Sequence, residues 1–366
     1  MKSTPIAQPS VVETLMWLLD RPSFYGDEGP ITDAIAERLS RQALAGPTRR
    51  YANSIVGPVT RGTGGPKLLL AGHTDVVRTE HELPPRIEGD RIYGPGAADM
   101  KSGLAVMLDL IEHERAAFER GVDLTLVFYA KEEGPFVDNE LGRVLDEDGE
   151  LHDVDLAICL EPSDNKLSLG ASGSIHATVR FTGTTAHSAR PWQGKNAIHA
   201  AGQFLCDLGA LTPREVTLDG LLYRSVFSAN MAQGGRGRNV VPDRFELNLN
   251  HRFSPDRTLE QAQADVLALV GDRAEVIFTD LSPAAPPHAH HPMVLALIES
   301  GVAAVEPKQA WTDVARFAQA GIAAVNFGPG DNAQAHQKNE HTSLAKLLAG
   351  REILLRYLGR LAESAK

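Results

Sequence analysis

Long apolar runs alternate with a helix-like pattern along the first part of the chain. Three of these runs have the length and composition of strands that are buried on both faces, at residues 67–73, 123–130 and 155–160. A short strand at residues 87–93 and a helix at about residues 100–118, with Asp99 as its predicted N-cap, lie between them. Because buried strands that alternate with helices form an open sheet, we predict an α/β fold with a mostly parallel mixed sheet flanked by helices.

From about residue 173 the pattern changes to alternating apolar and polar positions, which is typical of strands with one buried face. Strand patterns of this kind lie at residues 173–181, 225–233, 244–253 and 274–279. Helix patterns lie at residues 195–208 and 259–270. The simplest assembly of these pieces is an α+β domain with a four-stranded antiparallel sheet and two helices.

A stretch rich in proline and histidine, at residues 282–292, predicts a linker after these elements. Beyond it the α/β pattern returns, with a helix, a strand at residues 323–327 and a long terminal helix from about Leu344. We therefore predict a discontinuous catalytic, metal-binding domain, residues 1–172 and 284–366, into which a smaller domain, residues 173–283, is inserted.

Composition and charge argue against several classes of function. The net charge of −11 disfavours a nucleic-acid partner, because a phosphate-binding surface needs a basic excess. No apolar run reaches the ~20 residues needed to cross a bilayer, and the N-terminus has the pattern of an amphipathic helix rather than a signal peptide. We therefore expect no membrane partner. Cys159 and Cys206 are predicted to be buried free thiols, which fits a cytoplasmic location.

Five short segments that follow apolar runs carry acidic or imidazole side chains: GHTD, AADMK, EEG, LEP and AHQKNE. The candidate residues are His73, Asp75, Asp99, Glu132, Glu133, Glu161 and His336. Such groups collect at the carboxyl ends of strands in an open α/β sheet, where carboxylates alone would repel one another. Two divalent cations would balance the charges of three carboxylates and one hydroxide. Since imidazole with carboxylate suits zinc, we predict two Zn²⁺ ions, with Co²⁺ or Mn²⁺ as substitutes.

The spacing within two of these segments suggests individual roles. His73 and Asp75 point to the same face of an extended segment, so Asp75 is predicted to accept the second ring proton of His73. The side chains of the neighbours Glu132 and Glu133 diverge, and a Gly-Pro turn signal follows them. We therefore assign Glu132 as the general base and Glu133 as a metal ligand.

The order of these segments resembles that of the M20-type metallopeptidase and aminoacylase family, which includes carboxypeptidase G-type enzymes and acetylornithine deacetylase. The resemblance covers nearly the whole chain. It implies a metal-dependent amide hydrolase, with one metal on His73 and Glu161, a second metal on Glu133 and His336, and Asp99 bridging the two. It also implies a cis peptide bond directly after the bridging aspartate.

The predicted inserted domain carries further matches to this family. The run TTAHSARPWQGKNAIHAA places His187 where the family has a histidine that reaches across a homodimer and supports the oxyanion of the partner's substrate. The run RNVVPDRFELNLNHRFSP makes Asn239 and Arg252 candidates for substrate contact, since a guanidinium forks well onto a carboxylate. The resemblance thus implies a homodimer formed through the inserted domain.

Two longer phrases, LEPSDNKLSLGASGSIHATVRFTG and WTDVARFAQAGIAAVNFGPG, are most similar to the actinobacterial succinyl-diaminopimelate desuccinylase branch of the family. This similarity implies cleavage of a small anionic N-acyl amino acid, N-succinyl-LL-2,6-diaminopimelate, to succinate and LL-2,6-diaminopimelate. It adds Thr312 and Gly328 to the candidates for substrate binding. Further cationic anchors for the substrate carboxylates could come from Arg190, Arg236, Arg238 and Arg316.

One departure and two alternatives accompany this interpretation. Ala171 and Ser172 stand where the proteobacterial branch has a basic pair, so the anchoring of the substrate differs in detail. Another deacylase or dipeptidase of the same family stays open, because the metal site contacts the scissile amide and not the side chain. A catalytically inactive, metal-binding homologue also stays open, although retention of Glu132 argues against it.

Overall fold

The computed structural model describes residues 10–81 and 84–364. Its helices in these ranges are α1 (Ser10–Leu19), α2 (Gly29–Ser40), α3 (Lys101–His113), α4 (Glu140–Glu147), α5 (Ala197–Ala200), α6 (Gly202–Gly209), α7 (Leu259–Val270), α8 (Pro292–Glu299), α9 (Val314–Gln319) and α10 (Leu344–Ser364). Its strands are β1 (Arg49–Tyr51), β2 (Ser54–Pro58), β3 (Lys67–His73), β4 (Arg86–Glu88), β5 (Arg91–Tyr93), β6 (Asp123–Tyr129), β7 (Leu156–Cys159), β8 (Leu167–Leu169), β9 (Gly173–Thr182), β10 (Arg214–Leu218), β11 (Leu221–Gly234), β12 (Arg244–Phe253), β13 (Glu275–Ser282), β14 (Val305–Pro307), β15 (Ala324–Asn326) and β16 (His341–Ser343).

Internal contacts divide the chain into two compact units. The first unit comprises Met1–Leu169, His288–Glu306 and Arg316–Lys366. The second unit comprises Gly170–Pro287 and Pro307–Ala315. Each unit is therefore assembled from segments that are distant in the sequence.

The first unit is built on a mixed sheet of eight strands, in the order β1-β2-β6-β3-β7-β15-β8-β14. The central strands β6, β3, β7 and β15 are parallel to their neighbours within this group. Leucine, isoleucine and alanine side chains of β3 and β7 are fully buried, as expected for strands that are covered on both faces. These observations confirm the predicted α/β fold.

Two elements of the first unit differ from the prediction. Residues 87–93 form two short antiparallel strands, β4 and β5, because the chain turns at Gly89, which has a φ of +58°. Helix α3 begins at Lys101, and its N-cap is Met100 without a side-chain cap. The prediction of Asp99 as the N-cap is therefore wrong, since its carboxylate contacts two histidines instead of the helix amides.

The second unit contains an antiparallel sheet in the order β10-β11-β12-β9-β13, together with α5, α6 and α7. Alternate residues of β9, from Ile175 to Phe181, are buried in an apolar cluster. Phe204 of α6 and Val266 of α7 belong to the same cluster. The strict alternation along β9 thus reflects one face packed on helices, and an additional antiparallel sheet is confirmed.

This sheet has five strands in the described residues, and not the four that were predicted. The additional strand β10 pairs with β11 in a hairpin, and three of its five residues are exposed, so it carries a weak apolar pattern. The helix predicted at residues 195–208 is divided into α5 and α6 at Ala201.

The two cysteines differ in their environment. Cys159 is a buried thiol in β7 that forms no disulfide with a described residue, as predicted. Cys206 is exposed, so the prediction of its burial is wrong. Helix α6 buries Phe204 and Leu208, and a residue two positions from each of them lies on the other face of the helix.

The predicted N-terminal helix is present as α1, but residues 1–9 lie outside the described residues. Among the helices of residues 10–81 and 84–364, none is long and apolar enough to pass through a bilayer.

Candidate metal centre

Three parallel strands bring candidate residues to the same edge of the first sheet. His73 is the last residue of β3, Glu132 and Glu133 follow β6, and Glu161 follows β7. Residue pairing places His73 beside Tyr129 at the end of β6, and Ala71 beside Cys159 at the end of β7. Because parallel strands end at a common edge, side chains that are distant in the sequence converge there.

Two loops complete the cluster. Asp99 precedes α3, and the peptide bond between Asp99 and Met100 is cis, as the family resemblance implies. His336 lies in the loop that precedes β16. Among the residues that the structure describes, nitrogen and oxygen atoms within 4.8 Å of one another define three groups of possible metal ligands: His73, Asp99 and Glu161; His73, Glu132 and Glu133; Asp99, Glu133 and His336.

Asp99 stands between the two histidines. Its Oδ1 atom lies 3.3 Å from Nε2 of His73, and its Oδ2 atom lies 3.5 Å from Nε2 of His336. Nε2 of His336 also lies 3.0 Å from Oε1 of Glu133. One carboxylate therefore faces both imidazoles, which is the arrangement that a bridging ligand requires.

The electrostatic environment of the cluster favours cations. Burial alone would lower the pKa of His73, but the contact with Asp99 and the charges of Glu132, Asp75 and Glu161 raise it well above its usual value. The hydrogen bond with Glu133 raises the pKa of His336 to about 9, against the opposing effect of burial. Both imidazoles thus stand in a strongly negative potential, and the donor set of imidazole nitrogens and carboxylate oxygens fits divalent metals.

Asp75 does not act mainly on the ring of His73. Nδ1 of His73 lies 2.9 Å from the backbone oxygen of Asp75, and 3.6 Å from its carboxylate. The carboxylate instead accepts the backbone N–H groups of Glu132, at 3.1 Å, and of Glu133, at 2.9 Å. The predicted bond between the Asp75 carboxylate and the imidazole is therefore corrected: the backbone oxygen orients the ring, and the carboxylate fixes the turn that carries both glutamates.

The turn itself begins earlier than the Gly-Pro signal indicated. Lys131 has a φ of +62°, so the chain reverses immediately after β6. Its ammonium group lies 3.2 Å from Oε1 of Glu140. An oxygen of Glu132 and an oxygen of Glu133 both lie within 4.8 Å of a ring nitrogen of His73, so the assignment of different roles to the two glutamates stays a prediction.

A comparison with known families decides the classification of the chain. The model of peptidase family M20/M25/M40 matches residues 69–360. The chain belongs to this family. As a member of peptidase family M20, it is a metal-dependent hydrolase, and the group of His73, Asp99 and Glu161 is a candidate site for a divalent metal.

Curated relatives of this M20 enzyme carry a common name. A provisionally named succinyl-diaminopimelate desuccinylase, DapE, from Mycobacterium tuberculosis is 39% identical over 349 residues, which are 95% of this chain and 98% of that protein. The succinyl-diaminopimelate desuccinylase of Corynebacterium glutamicum is 36% identical over 347 residues, 93% of this chain and 94% of that protein.

Solved structures share the fold at lower identity. A tripeptidase from Staphylococcus aureus superposes with a TM-score of 0.79 at 21% identity and covers 97% of this chain and 98% of its own. The aminopeptidase PepT from Bacillus cereus superposes with a TM-score of 0.80 at 18% identity and covers 98% of this chain and 99% of its own. At this identity the likeness supports the fold alone.

One residue of the M20 site was missed by sequence reasoning. Glu340 is 4% exposed and accepts backbone N–H groups of Gly96, Ala98 and Asp99. Burial raises the pKa of Glu340 to about 7, although these three hydrogen bonds lower it. The residue lies at the end of the AHQKNE segment, which was interpreted only for its histidine. An acid in a polar segment carries no sign of burial, so only its position after His336 could have drawn attention to it.

In the second unit, two predicted residues lie on neighbouring segments. His187 forms an isolated antiparallel bridge with Val240, and the backbone N–H of Ser188 donates to the oxygen of Asn239 at 2.9 Å. The side chains of His187 and Asn239 are both exposed. The fold therefore brings these two residues together at the surface of the second unit.

Arg252 and Thr312 of the second unit are more enclosed. Nε of Arg252, in β12, donates to Oδ1 of Asn250 at 3.2 Å, and burial lowers the pKa of Arg252. Thr312 is 5% exposed, and its hydroxyl has no hydrogen-bond partner among the described residues. A buried hydroxyl of this kind has capacity to bind a ligand.

The remaining candidates have different surroundings. A Cβ atom at Gly328 would lie 2.4 Å from the backbone oxygens of Leu160 and Glu161, so glycine is needed for close packing behind Glu161. Its assignment to substrate binding stays a prediction. Among the arginines, Arg236 pairs with Asp243, and Arg316 is buried with its guanidinium over the ring of Phe136. The other two candidates, Arg190 and Arg238, are exposed.

Proposed function

We propose that the enzyme is a succinyl-diaminopimelate desuccinylase, which hydrolyses N-succinyl-LL-2,6-diaminopimelate to succinate and LL-2,6-diaminopimelate. The observation that carries this proposal is the 36–39% identity, over more than nine-tenths of the chain, to two relatives with that name. The reaction would supply a precursor of lysine and of the cell wall, and a cytoplasmic location belongs to the same proposal.

Two zinc ions are part of the proposal. His73 and Glu161 would hold one ion, Glu133 and His336 would hold the other, and Asp99 would bridge them. Asp99 supports this assignment because its two oxygens face different imidazoles. When bound, a zinc pair polarises the amide oxygen and lowers the pKa of a metal-bound water to near neutrality.

Glu132 is proposed as the general base. Its neighbour Glu133 contacts His336, which supports Glu133 rather than Glu132 as a ligand of the same metal as His336. A carboxylate oxygen of Glu132 takes a proton from the attacking water and later delivers it to the nitrogen of the leaving amine. While this proton moves, the carboxylate of Asp75 holds the backbone of Glu132 by accepting its N–H at 3.1 Å.

The substrate carries three carboxylates and one free amine, and its recognition is proposed to depend on the second unit. Arg252 would pair with a carboxylate, which its partly desolvated guanidinium favours. Asn239 would add hydrogen bonds, as would the hydroxyl of Thr312, which has no hydrogen-bond partner in the part of the chain that the structure describes. Gly328 would bring substrate close to the backbone behind Glu161.

His187 is proposed to act on the substrate of a partner subunit in a homodimer. Its ring is exposed, and the backbone N–H of Ala189 contacts Nδ1 at 3.1 Å. Because Nδ1 then accepts this hydrogen bond, Nε2 is the protonated nitrogen and can donate to the oxyanion. If each subunit contributes His187 to the site of the other, two inactive variants should complement each other in a mixed dimer.

That prediction can be tested by subunit exchange. A mixture of His187→Ala and Glu132→Gln should recover about a quarter of wild-type activity, because half of random dimers would contain one intact site. Recovery should require unfolding and joint refolding, or slow exchange. No recovery, in a mixture shown to contain mixed dimers, would count against action across the dimer. A monomer by sedimentation would count against it as well.

The decisive assay is amine release from N-succinyl-LL-2,6-diaminopimelate and N-acetylornithine, side by side, with zinc restored. We expect turnover of the succinyl substrate that falls by about 10²- to 10⁴-fold in Glu132→Gln while the metal content is retained. Glu299→Gln, an exposed glutamate paired with Arg360, is the matched control and should be fully active.

Other outcomes change the assignment in defined ways. Preferential turnover of N-acetylornithine would keep the metal chemistry and replace the proposed substrate. Turnover of neither compound, with two metals bound, would refute the desuccinylase assignment.

A further inference from the structure

A buried carboxylate outside the proposed ligand set holds the loop that carries Asp99. Oε1 of Glu340 accepts the backbone N–H groups of Ala98, at 2.8 Å, and of Asp99, at 2.9 Å. Oε2 accepts the N–H of Gly96 at 2.9 Å. Both oxygens thus accept hydrogen bonds from backbone amides, and these bonds favour the charged carboxylate against the effect of burial.

The backbone of the same residue extends this attachment. The oxygen of Glu340 accepts the N–H of Gly94 at 3.1 Å, directly beyond the pairing of β16 with β5. Gly96 has a φ of +80°, and a Cβ atom there would lie 2.5 Å from a methyl carbon of Val76. The loop therefore has little freedom to adopt another path around the carboxylate.

Glu340 also belongs to the segment that carries His336. Nε2 of His336 lies 3.5 Å from Oδ2 of Asp99, although these residues come from different parts of the chain. Glu340 is four positions after His336 and is bonded to the backbone of Asp99. One side chain therefore links the two segments on which these facing groups stand.

We propose that Glu340 is a positioning residue, which sets Asp99 relative to His336 so that these groups can receive a divalent cation with little rearrangement. The inference rests on the metal centre of the proposed function, but not on the identity of the substrate. It gives Glu340 no contact with substrate or with reacting atoms.

A purely structural role is the competing explanation, and Asp109 offers a matched control. The carboxylate of Asp109 is also fully buried in the first unit, and it accepts hydrogen bonds from Arg351 and Ser10. It contacts none of the proposed ligands among the described residues. Asp109→Asn should therefore lower stability without changing the affinity for metal.

The test compares Glu340→Gln with Asp109→Asn in the full-length protein. Glutamine keeps the shape of the side chain, but its NH₂ group would face a backbone N–H donor. We expect Glu340→Gln to bind zinc about 10- to 100-fold more weakly in chelator competition, as is typical when a partner of a metal ligand is removed. The visible spectrum of the cobalt-substituted protein should change, and thermal unfolding in chelator should shift no more than in Asp109→Asn.

Two results would overturn the proposal. One is wild-type zinc affinity and an unchanged cobalt spectrum in Glu340→Gln. The other is an equal loss of zinc affinity in Asp109→Asn. If Glu340→Gln does not fold, the same measurements on Glu340→Asp decide, because aspartate keeps the charge but is too short to bind all three amides. These measurements do not need substrate, so failure of the desuccinylase assignment would be seen separately in the amine-release assay.

Discussion

In the first unit, the proposed metal ligands contact one another, and buried carboxylates fix the backbone behind them. In the second unit, His187 and Asn239 are exposed, and Arg252 donates to Asn250, which is not one of the residues proposed to bind substrate. The chemical centre is thus assembled by contacts between side chains within one unit, whereas His187 and Asn239 are neighbours through their backbone and have exposed side chains. This difference teaches that metal binding and substrate recognition should respond separately to mutation.

The largest effect is expected for His336→Ala. Loss of this imidazole should remove one metal and lower kcat by about 10³-fold or more, since a metal contributes several kcal/mol to stabilisation of the transition state. Metal analysis and steady-state kinetics measure both quantities. His341→Ala is the matched control, because that ring packs on Tyr93 at 5.0 Å and lies outside the ligand groups. Two tightly bound metals in His336→Ala would show that His336 is not a required ligand, and would contradict the proposed metal centre of the first unit.

The next effect is expected for His187→Ala. Removal of one oxyanion donor should lower kcat by about 10²- to 10³-fold, with little change in KM and with the metal content unchanged. His199→Ala, another exposed histidine of the second unit, should behave as wild type. Loss of metal in His187→Ala would show that metal binding depends on this residue of the second unit, and would contradict the separation of metal binding from substrate recognition.

Arg252→Ala should act mainly on KM. Loss of a charged hydrogen bond of about 1.5–3 kcal/mol corresponds to a rise in KM of about 10- to 100-fold for the succinyl substrate. Arg244→Ala is the control, since Arg244 lies on the same strand and pairs with Glu246. An unchanged KM combined with a lower kcat would remove Arg252 from recognition and assign it to the chemical step.

The smallest effect is expected for Asp75→Asn. The substitution leaves one amide acceptor in place of two, so the turn at Glu132 and Glu133 should loosen and kcat should fall about tenfold. Asp123→Asn is closely matched, because Asp123 also accepts two consecutive backbone N–H groups, those of Gly62 and Thr63, but at the start of β6. Equal losses of kcat in both variants would indicate a general loss of stability rather than a local effect on the site.

The sequence predicted the parallel core of the first unit well because its strands are continuous apolar runs. Strands β3 and β12 have the predicted boundaries, and so has α7, whose capping box at Thr258 marks its start. Strand β10 was missed because a short, mostly exposed edge strand has no apolar face to reveal it. The burial of Cys206 was predicted wrongly because the sequence alone does not show which face of α6 packs against the sheet.

For the metal centre, the sequence by itself determined which ligand types stand at the ends of the buried strands. Burial of a strand and the chemistry of the side chain that ends it are both local properties. The ordered motifs were therefore sufficient to predict that these side chains lie at the ends of buried strands. Only the tertiary structure decided that Asp75 holds the Glu132 turn and that Glu340 holds the Asp99 loop. Both carboxylates bind backbone amides, and because every residue except proline carries the same N–H group, such partners leave no mark in the sequence.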